Sequence, residues 1–430
     1  MKTRPALVAL LALLVSTGSG AADLLLKDCR LVDPENQSVR ATDILIIDGH
    51  IAPAGTTAMK RKVETIDLAG RWVIPGLIDL HVHSYGNVFP DGTDEDLDPR
   101  QTARLMLDCG VVAYLELGTR NLADIFAARD HQRAGDAAAG READIYCAGM
   151  AFGPWALSDA ARAGKTIGDY IQRWKPDVIK VLDVRFSNRS GLDRATLQAV
   201  VDTARRAGLK TVIHIGKWEN ARVILQTGAT AITHFDDDEV IPEDLVRQWQ
   251  ATKTVSIPTM AVQSDVANFV RTPALLDSPL LQAIESPKAI QTYRDVKLFS
   301  AQGRRTLQWQ QDDMANDTRT FGRLTAAGVV MLAGSDTCNL GTFQGFSLHR
   351  EIKLMQEAGY PAWDALAAAT TRAAAFLGRP PGIRPGDLAE LVVLDADPLA
   401  DLANTQKIFA VVHHGQLVDR REPPVRPSRG

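Results

Sequence analysis

Four of the nine histidines and one aspartate in this 430-residue chain stand at the ends of apolar runs. His81 and His83 are two residues apart, so on a strand their side chains project from the same face. His214, His234 and Asp336 each end a further run. Each residue alone is a weak signal, because strand-end histidines often only pack and Asp336 could cap a helix. Together they form the imidazole and carboxylate set that zinc and related divalent metals prefer, so the pattern predicts a metal site.

Lys180 is a single cation within the apolar run at 178–182. A buried ammonium group is costly, and burial favours the neutral, nucleophilic amine. Such an amine can add carbon dioxide and become a carbamate, an anion whose two oxygens can bridge two metal ions. The residues leave an alternative open, in which Lys180 pairs with a buried carboxylate such as Asp183 or Glu116.

Eight predicted strands position these residues, and helical patterns separate most of them. Their repetition over about 300 residues predicts a parallel (β/α)8 TIM barrel, and an open doubly wound sheet is the alternative. A barrel carries its active site at the carboxyl ends of its strands, where the histidines and the aspartate stand. The predicted strands are 73–83, 111–118, 144–150, 177–183, 210–216, 229–235, 254–260 and 328–336.

Short β-rich runs also occupy both ends of the chain, before residue 72 and again at 387–418. Neither end is long enough to hold a large core, so we expect one small discontinuous β-sandwich domain built from both. The predicted divisions are a leader at 1–22, sandwich segments at 23–72 and 377–420, a barrel at 73–376 and a flexible tail at 421–430.

The composition excludes several classes of protein. Hydrophobic residues make up 45% and charged residues 23%, which are globular values and exclude disordered, collagen-like and coiled-coil chains. With 48 basic against 52 acidic residues, the chain lacks the basic surface that a nucleic-acid partner requires. Four cysteines cannot form the disulfide framework of a small secreted domain, and we interpret them as buried apolar residues: Cys29, Cys109, Cys147 and Cys338.

The first 22 residues have the layout of a secretory signal peptide. Lys2 and Arg4 precede an apolar run at 6–15, and small residues lead to Ala21 and Ala22. That run is too short to span a bilayer, and no later stretch reaches about 18 uninterrupted apolar residues. We therefore expect a periplasmic or secreted protein without a membrane anchor.

Three segments resemble motifs of the amidohydrolase superfamily. VIPGLIDLHVH at 73–83 and AGSDT at 333–337 resemble its opening and closing motifs, and 382–398 is similar to its β-domain return segment. His214 and His234 lie 20 positions apart, similar to the imidazolonepropionase-like and Xaa-Pro dipeptidase-like branch. The resemblance covers nearly the whole chain after the leader, and its motifs are specific jointly rather than singly. Glu116 departs from it, since many relatives have Asp before this Leu-Gly pair.

The resemblance implies a binuclear centre, most often of zinc. His81, His83 and Asp336 would hold the more buried ion and His214 and His234 the more exposed one. Carboxylated Lys180 and a hydroxide would bridge the two ions. The hydroxide would attack the substrate, with Asp336 as general base and then general acid.

The function that follows is hydrolysis of an amide or peptide-like C–N bond in a dipeptide, N-acyl amino acid or cyclic amide. A mononuclear deaminase, in which Lys180 would be structural, is an alternative, as is a lactone or phosphoester hydrolase on the same centre. An inactive metal-binding scaffold is the remote alternative. The partner is expected to be a small molecule, and the family often forms homo-oligomers.

Substrate contacts are expected from loops that follow the predicted strands. The candidates are Tyr85, Arg185, Lys217 and Trp218, although each is also an ordinary surface residue. The long segment at 261–327 could form a lid over the site. His349 and Glu351, which follow the eighth predicted strand, are expected to pack within a helix.

Removal of the leader is directly testable. In a Gram-negative host that secretes the full chain, we expect the isolated protein to begin at Ala22 or Asp23, because small residues precede both positions. N-terminal sequencing of the periplasmic fraction measures this. An intact amino terminus on protein confined to the cytoplasm would contradict the prediction.

Overall fold

The computed structural model describes residues 23–56, 61–135, 141–183, 191–235 and 239–420. The predicted leader and tail lie outside these residues. The strands are β1 (Asp23–Asp33), β2 (Ser38–Ile47), β3 (His50–Ile51), β4 (Val63–Pro75), β5 (Leu77–Val82), β6 (Val111–Glu116), β7 (Asp144–Cys147), β8 (Ala151–Phe152), β9 (Val178–Asp183), β10 (Lys210–Ile215), β11 (Ala231–Thr233), β12 (Val255–Ile257), β13 (Leu391–Leu394), β14 (Ile408–His413) and β15 (Gln416–Leu417).

Helices follow most of the central strands. They are α1 (Pro99–Asp108), α2 (Leu122–Arg133), α3 (Ala160–Trp174), α4 (Arg194–Arg206), α5 (Trp218–Ile224), α6 (Glu243–Gln250), α7 (Asp265–Arg271), α8 (Pro279–Ile284), α9 (Pro287–Arg294), α10 (Ala301–Ala326), α11 (Phe346–Glu357), α12 (Ala362–Ala368) and α13 (Thr371–Leu377). Short 3-10 turns occupy Pro273–Asp277, Val296–Leu298 and Leu402–Gln406.

Both ends of the chain pair in one seven-stranded sheet, with the order β15-β14-β13-β4-β1-β2-β3. β1 runs parallel to β4 and antiparallel to β2, and β13 joins β4 in antiparallel register. Leu24 and Leu26 of β1 pack in one buried cluster with Leu391 and Val393 of β13. The predicted pairing of the two ends is therefore present. The sandwich and the domain boundaries stay predictions, since the strand order gives a single sheet here.

The central strands form two parallel sheets, and the α/β class is confirmed. One sheet has the order β12-β11-β10-β9-β8 and the other has the order β5-β6-β7. The third strand, predicted at 144–150, is regular only over β7, because the chain turns at Gly149, whose φ is +72°. β8 follows this turn and belongs to the other sheet. A Cβ at Gly149 would lie 2.5 Å from the Tyr170 hydroxyl, so the close packing of the turn requires glycine.

The eighth predicted strand is not a regular strand, yet its backbone bonds to both sheets. Leu332 N–H donates to the Ser256 carbonyl of β12 at 2.9 Å, and Leu80 N–H of β5 donates to the Ala333 carbonyl at 3.1 Å. This segment thus lies between the first and last strands of the central sheets. Closure of all of them into one barrel stays a prediction.

A buried carboxylate fixes this segment against β5. Asp79 accepts hydrogen bonds from Ser335 N–H at 2.9 Å and His81 N–H at 3.1 Å, and its second oxygen accepts from the Ser335 hydroxyl. Asp336 N–H in turn donates to the His81 carbonyl at 2.7 Å. These bonds place two predicted metal ligands side by side, although 255 positions separate them in sequence.

Helix α10 is the longest helix described and begins at a cap. The Ser300 hydroxyl accepts from Gly303 N–H at 3.1 Å, which satisfies a backbone donor of the first turn. Further along the helix, the Gln310 amide oxygen accepts from Ala267 N–H of α7 at 2.9 Å, and its nitrogen donates to the Val262 carbonyl at 2.8 Å. The predicted lid segment at 261–327 is therefore largely helical, and within it α10 is hydrogen-bonded to α7.

The remaining structural predictions concern cysteines and packing residues. All four cysteines are buried and form no disulfide, which confirms their interpretation as small apolar residues. His349 of α11 bonds Thr405 Oγ1 and the Cys109 carbonyl, both at 2.9 Å, and so packs as predicted. Within the described residues, no helix has both the length and the hydropathy needed to cross a membrane.

Glu351 on α11 gives a pH-dependent prediction. Burial raises its pKa to about 8, from an ordinary value of 4.5, while one oxygen accepts from Ala261 N–H at 2.7 Å. The native state therefore binds this proton more tightly than the unfolded chain, and the stability that it contributes is lost as pH rises from about 4.5 to 8. Glu351→Gln keeps an acceptor for Ala261 but has no charge to bury.

We expect the difference in free energy of unfolding, Glu351→Gln minus the parent, to increase from pH 5 to pH 8. The increase should be about 1.4 kcal/mol for each pH unit between the unfolded and native pKa values of Glu351. Urea unfolding at the two pH values measures this. Glu357→Gln, on an exposed turn of the same helix, is the control and should show no such gain. A constant difference between Glu351→Gln and the parent at both pH values would sink the prediction.

Candidate metal centre

The six side chains predicted to bind metal line one cavity of about 1460 Å³. They lie on or just after four central strands, β5, β9, β10 and β11, and at the end of the segment at 329–336. The six are His81, His83, Lys180, His214, His234 and Asp336. Parallel strands bring their carboxyl ends to a common edge, so residues distant in sequence meet there.

His81, His83 and Asp336 form the tightest group, with candidate ligand atoms all within 4.8 Å of one another. Asp336 Oδ1 lies 3.0 Å from His83 Nε2 and 3.3 Å from His81 Nε2. His83 Nδ1 donates to the Gly118 carbonyl at 2.7 Å, which leaves the lone pair of its other nitrogen facing the carboxylate. Two acceptors at that distance require a cation between them, and a proton or a metal ion supplies one.

His234 and His214 form the second part of the centre, with ring centroids 4.2 Å apart. The Thr259 hydroxyl donates to the Pro258 carbonyl and so accepts from His234 Nδ1–H at 2.6 Å. This bond fixes the tautomer and leaves the lone pair of His234 Nε2 directed inward. That atom is shielded from solvent and has no hydrogen-bond partner among the described residues.

Lys180 lies between the two groups and is 1% exposed. Its Nζ is 3.4 Å from His81 Nε2 and 3.3 Å from Thr233 Oγ1. Burial lowers its pKa to about 7, more than the nearby carboxylates Asp336 and Glu116 raise it. A substantial fraction of neutral amine is therefore present near neutral pH.

The protonation states suit cation binding. Burial lowers the pKa of His81 and His214 well below the ordinary value and that of His234 to about 3, so all three imidazoles are neutral. Burial opposes ionisation of Asp336, but the surrounding histidines, His81 foremost, hold its pKa well below the usual range. His83 differs: burial lowers its pKa, but the hydrogen bond with Asp336 outweighs burial and the net shift is upward, so His83 holds a proton beside this carboxylate. A divalent metal requires deprotonated ligands and would displace that proton.

Two of these residues have a strained backbone. His234 has a φ of +69° and Asp336 a φ of +54°, and neither is glycine. Such conformations cost about 1–3 kcal/mol each and persist only where the surrounding structure imposes them. They turn both side chains into the cavity at the points where the strand-like segments end.

Glu116, the residue that departs from the expected motif, supports His83 indirectly. Its two oxygens accept from Gly118 N–H at 2.8 Å and from Gly149 N–H at 3.2 Å. Gly118 is the residue whose carbonyl orients His83. Burial raises the pKa of Glu116 to about 7. The carboxylate thus holds two loops together rather than lining the cavity.

The predicted substrate-binding residues have different outcomes. Tyr85 and Lys217 line the cavity. Trp218 does not belong to the described lining; it is buried at the start of α5, and its indole N–H donates to the Glu239 carbonyl at 2.8 Å. Trp218 is the first residue of α5, and this position turns its side chain into the core. Arg185 lies outside the described residues.

Several other residues of the lining were not predicted, because no pattern in the sequence singles them out. Gln263, Gln302, Thr306 and Trp309 come from the long segment after β12 and form part of the cavity wall. Amphipathic spacing in α10 indicates a helix, but it does not identify which face meets the cavity.

A second group of potential ligands, Asp144, His413 and His414, lies between β7 and β14. An Arg379 nitrogen is 2.9 Å from Asp144 Oδ2, and both ring nitrogens of His413 are bonded, to Glu390 Oε2 at 2.7 Å and to the Glu142 carbonyl at 3.0 Å. Because the guanidinium already supplies the positive charge, this group is an internal ion-pair network.

Comparison with known proteins gives one family. The model of the Amidohydrolase family matches residues 72–418. An uncharacterized protein of Mycobacterium tuberculosis (strain ATCC 25618 / H37Rv) is 26% identical over 389 residues, which cover 83% of this chain and 87% of the relative. A dihydroorotase of Pelotomaculum thermopropionicum is 43% identical over 60 residues, 14% of each chain.

Solved structures show a similar fold. A Xaa-Pro dipeptidase with bound methionine in its active site has a TM-score of 0.74 at 18% identity, with 93% of this chain and 100% of that chain covered. Phenylurea hydrolase B has a TM-score of 0.71 at 18% identity, with coverages of 95% and 99%. At these identities the likeness is one of fold.

Proposed function

The chain belongs to the amidohydrolase family, and from this membership and the geometry of its centre we propose that it hydrolyses an amide or peptide-like C–N bond in a small molecule. The substrates that we propose to test are dipeptides, N-acyl amino acids and cyclic amides. The observation that carries the proposal is the convergence of four imidazoles, one carboxylate and one buried lysine in a single open cavity.

We propose that two divalent cations, zinc first among them, bind at this centre. His81, His83 and Asp336 would hold one, and His214 and His234 the other, with Lys180 between them. When bound, such cations lower the pKa of water and polarise a carbonyl group. The inward lone pair of His234 and the close approach of His83 to Asp336 support this assignment.

Asp336 is the residue that we propose moves the proton. Its low pKa keeps it ionised, and it lines the cavity, so it can accept a proton from attacking water and return it to the leaving amine. His83 and His81 hold the carboxylate in place on one side. The fixed backbone at Asp336 keeps the carboxylate directed at the same point throughout this transfer.

Lys180 is proposed to be carboxylated. The lone pair of its neutral Nζ would form a bond to the carbon of carbon dioxide, with one N–H proton released to solvent. The product is an anion, which attracts cations at this position. The ammonium form of Lys180 would repel them. Its burial and its place between the two histidine groups support this step.

We also propose that the two central sheets close into one (β/α)8 barrel, framed by a β-sandwich from both chain ends with the boundaries predicted above. Bonds at both gaps support closure: Leu80 N–H to the Ala333 carbonyl at 3.1 Å, and Asp177 N–H to the Cys147 carbonyl at 2.9 Å. Export through the leader and assembly into a homo-oligomer remain proposals from the sequence and its family.

Lys180→Ala tests the carbamate. We expect the variant to lose most of its bound metal, and a short carboxylic acid such as propionate to restore part of it by replacing the missing anion. Elemental analysis of the purified protein measures both. In the parent, exchange with 13C-labelled bicarbonate should give a carbamate carbon signal by NMR that Lys180→Ala lacks. Lys165→Ala, on the surface of α3, is the control. Full metal content in Lys180→Ala would contradict the proposal.

Asp336→Asn tests the proton transfer. We expect kcat to fall by about 100-fold or more, because the amide can neither accept nor return the proton. The measurement is amine release from dipeptides, N-acyl amino acids and cyclic amides, with metal content determined in parallel. Asp312→Asn, exposed on α10, should keep the parent rate. Parent-level turnover by Asp336→Asn would remove Asp336 from this role, and absence of C–N hydrolysis by the metal-loaded parent would count against the function itself.

A further inference from the structure

His234 is bonded twice to the neighbouring strand β12 and the residues that follow it. Its backbone N–H donates to the Ile257 carbonyl of β12 at 3.1 Å, and its Nδ1 lies 2.6 Å from Thr259 Oγ1. His83 is oriented by a backbone carbonyl. The partner of the His234 ring is a side chain instead, so a substitution can remove this bond and keep the backbone that carries it.

Both partners of the ring bond have a strained backbone. φ is +69° at His234 and +54° at Thr259, and a β-branched residue rarely adopts a positive φ. Such conformations persist only where the surrounding structure imposes them, and they cluster at functional sites. This strain is an observation separate from the hydrogen bond, and both point to a role for the same pair of residues.

Thr259 is held in place on both sides along the chain. Before it, the Ile257 carbonyl accepts from His234 N–H, and after it, Ala261 N–H donates to the Glu351 carboxyl group of α11 at 2.7 Å. Thr259 and Glu351 are both 0% exposed. Because buried bonds fix the chain on either side of Thr259, its hydroxyl is positioned before any cation binds.

The bonds of this hydroxyl determine which nitrogen of His234 carries the proton. A hydroxyl has one hydrogen, and that of Thr259 is donated to the Pro258 carbonyl at 2.7 Å. Its oxygen therefore accepts from His234 Nδ1–H, and the lone pair of Nε2 is left for a cation. In the other tautomer, Nε2–H would face Asp336 Oδ2 at 4.0 Å, which is beyond hydrogen-bond length.

We propose that Thr259 is a positioning residue, which creates the second cation site by holding the proton of His234 on Nδ1. This inference rests on the proposed function, because it concerns the cation assigned there to His214 and His234. Thr259 is not part of the described cavity lining, so it acts through the imidazole and touches neither cation nor substrate. Its loss should weaken the second cation and spare the first.

The first measurement is the tautomer of His234 in the metal-free full chain. Labelling of the histidine rings with 15N reports which nitrogen carries the hydrogen, and the signals of His234 are those that His234→Gln lacks. We expect Nδ1–H in the parent and in Thr259→Ser, which keeps a hydroxyl. In Thr259→Val, which keeps the β-branch, Nδ1–H loses its acceptor, so we expect Nε2–H to become the main form. A role for Thr259 in packing alone would leave the tautomer unchanged.

The second measurement is zinc binding, by titration of the metal-free chain against a chelator of known affinity. We expect the parent and Thr259→Ser to bind two ions. In Thr259→Val, the Kd of one ion should rise by about 10-fold or more, as when a ligand-orienting bond is lost, while the Kd of the other ion stays within about 3-fold.

Thr254→Val is the matched control. Thr254 directly precedes β12 and is buried, and its hydroxyl donates to the Ala229 carbonyl at 2.8 Å. The control therefore loses a buried threonine hydroxyl at the opposite end of the same strand. It should change neither the tautomer of His234 nor the two zinc affinities.

An Nε2–H tautomer in the metal-free parent overturns the proposal, and this result needs no substitution at Thr259. A tautomer that is the same in Thr259→Val as in the parent also overturns it, as do equal zinc affinities of these two chains where the parent binds two ions. A parent that binds one zinc ion, with a tautomer that responds to Thr259→Val, would refute the two-cation centre of the proposed function and leave Thr259 as the residue that orients His234.

Discussion

The hydrogen bonds between β5 and the segment at 329–336 are the junction on which the centre depends. Asp79 receives two backbone N–H groups and a hydroxyl, and Asp336 N–H bonds the His81 carbonyl. All of these groups are buried, so the loss of a hydrogen-bond partner would leave a polar group with nothing to compensate for its desolvation. The junction closes a loop of more than 250 residues, and it sets the relative positions of three potential ligands within 4.8 Å. Everything else at the centre is arranged around this point.

The charges around the junction compensate one another. Asp336 is a buried carboxylate kept ionised by histidines, while three imidazoles and Lys180 are driven toward their neutral forms by burial. The set thus offers several lone pairs and little positive charge of its own. Strained backbone at His234 and Asp336 persists because packing on every side leaves no relaxed alternative. Such an arrangement suits the cations proposed to bind at this centre.

The potential metal ligands and the cavity wall after β12 come from different parts of the fold. The ligand side chains stand at strand ends, where register and pleat fix them to within small tolerances. The wall with Gln263 and Trp309 belongs to the segment that follows β12, where Gln310 of α10 bonds the Val262 carbonyl and Ala267 N–H.

The sequence by itself determined the α/β class, the pairing of the two chain ends and the six side chains that meet at the centre. These follow from local geometry: a two-residue strand period orients His81 with His83, and parallel strands bring their carboxyl ends together. Only the tertiary structure decided the early end of the third strand before Gly149, the burial of Trp218 and the common cavity wall formed by Gln263 and Trp309. Those outcomes depend on how side chains far apart in sequence fill a shared volume, and residue spacing within one element carries no information about that packing.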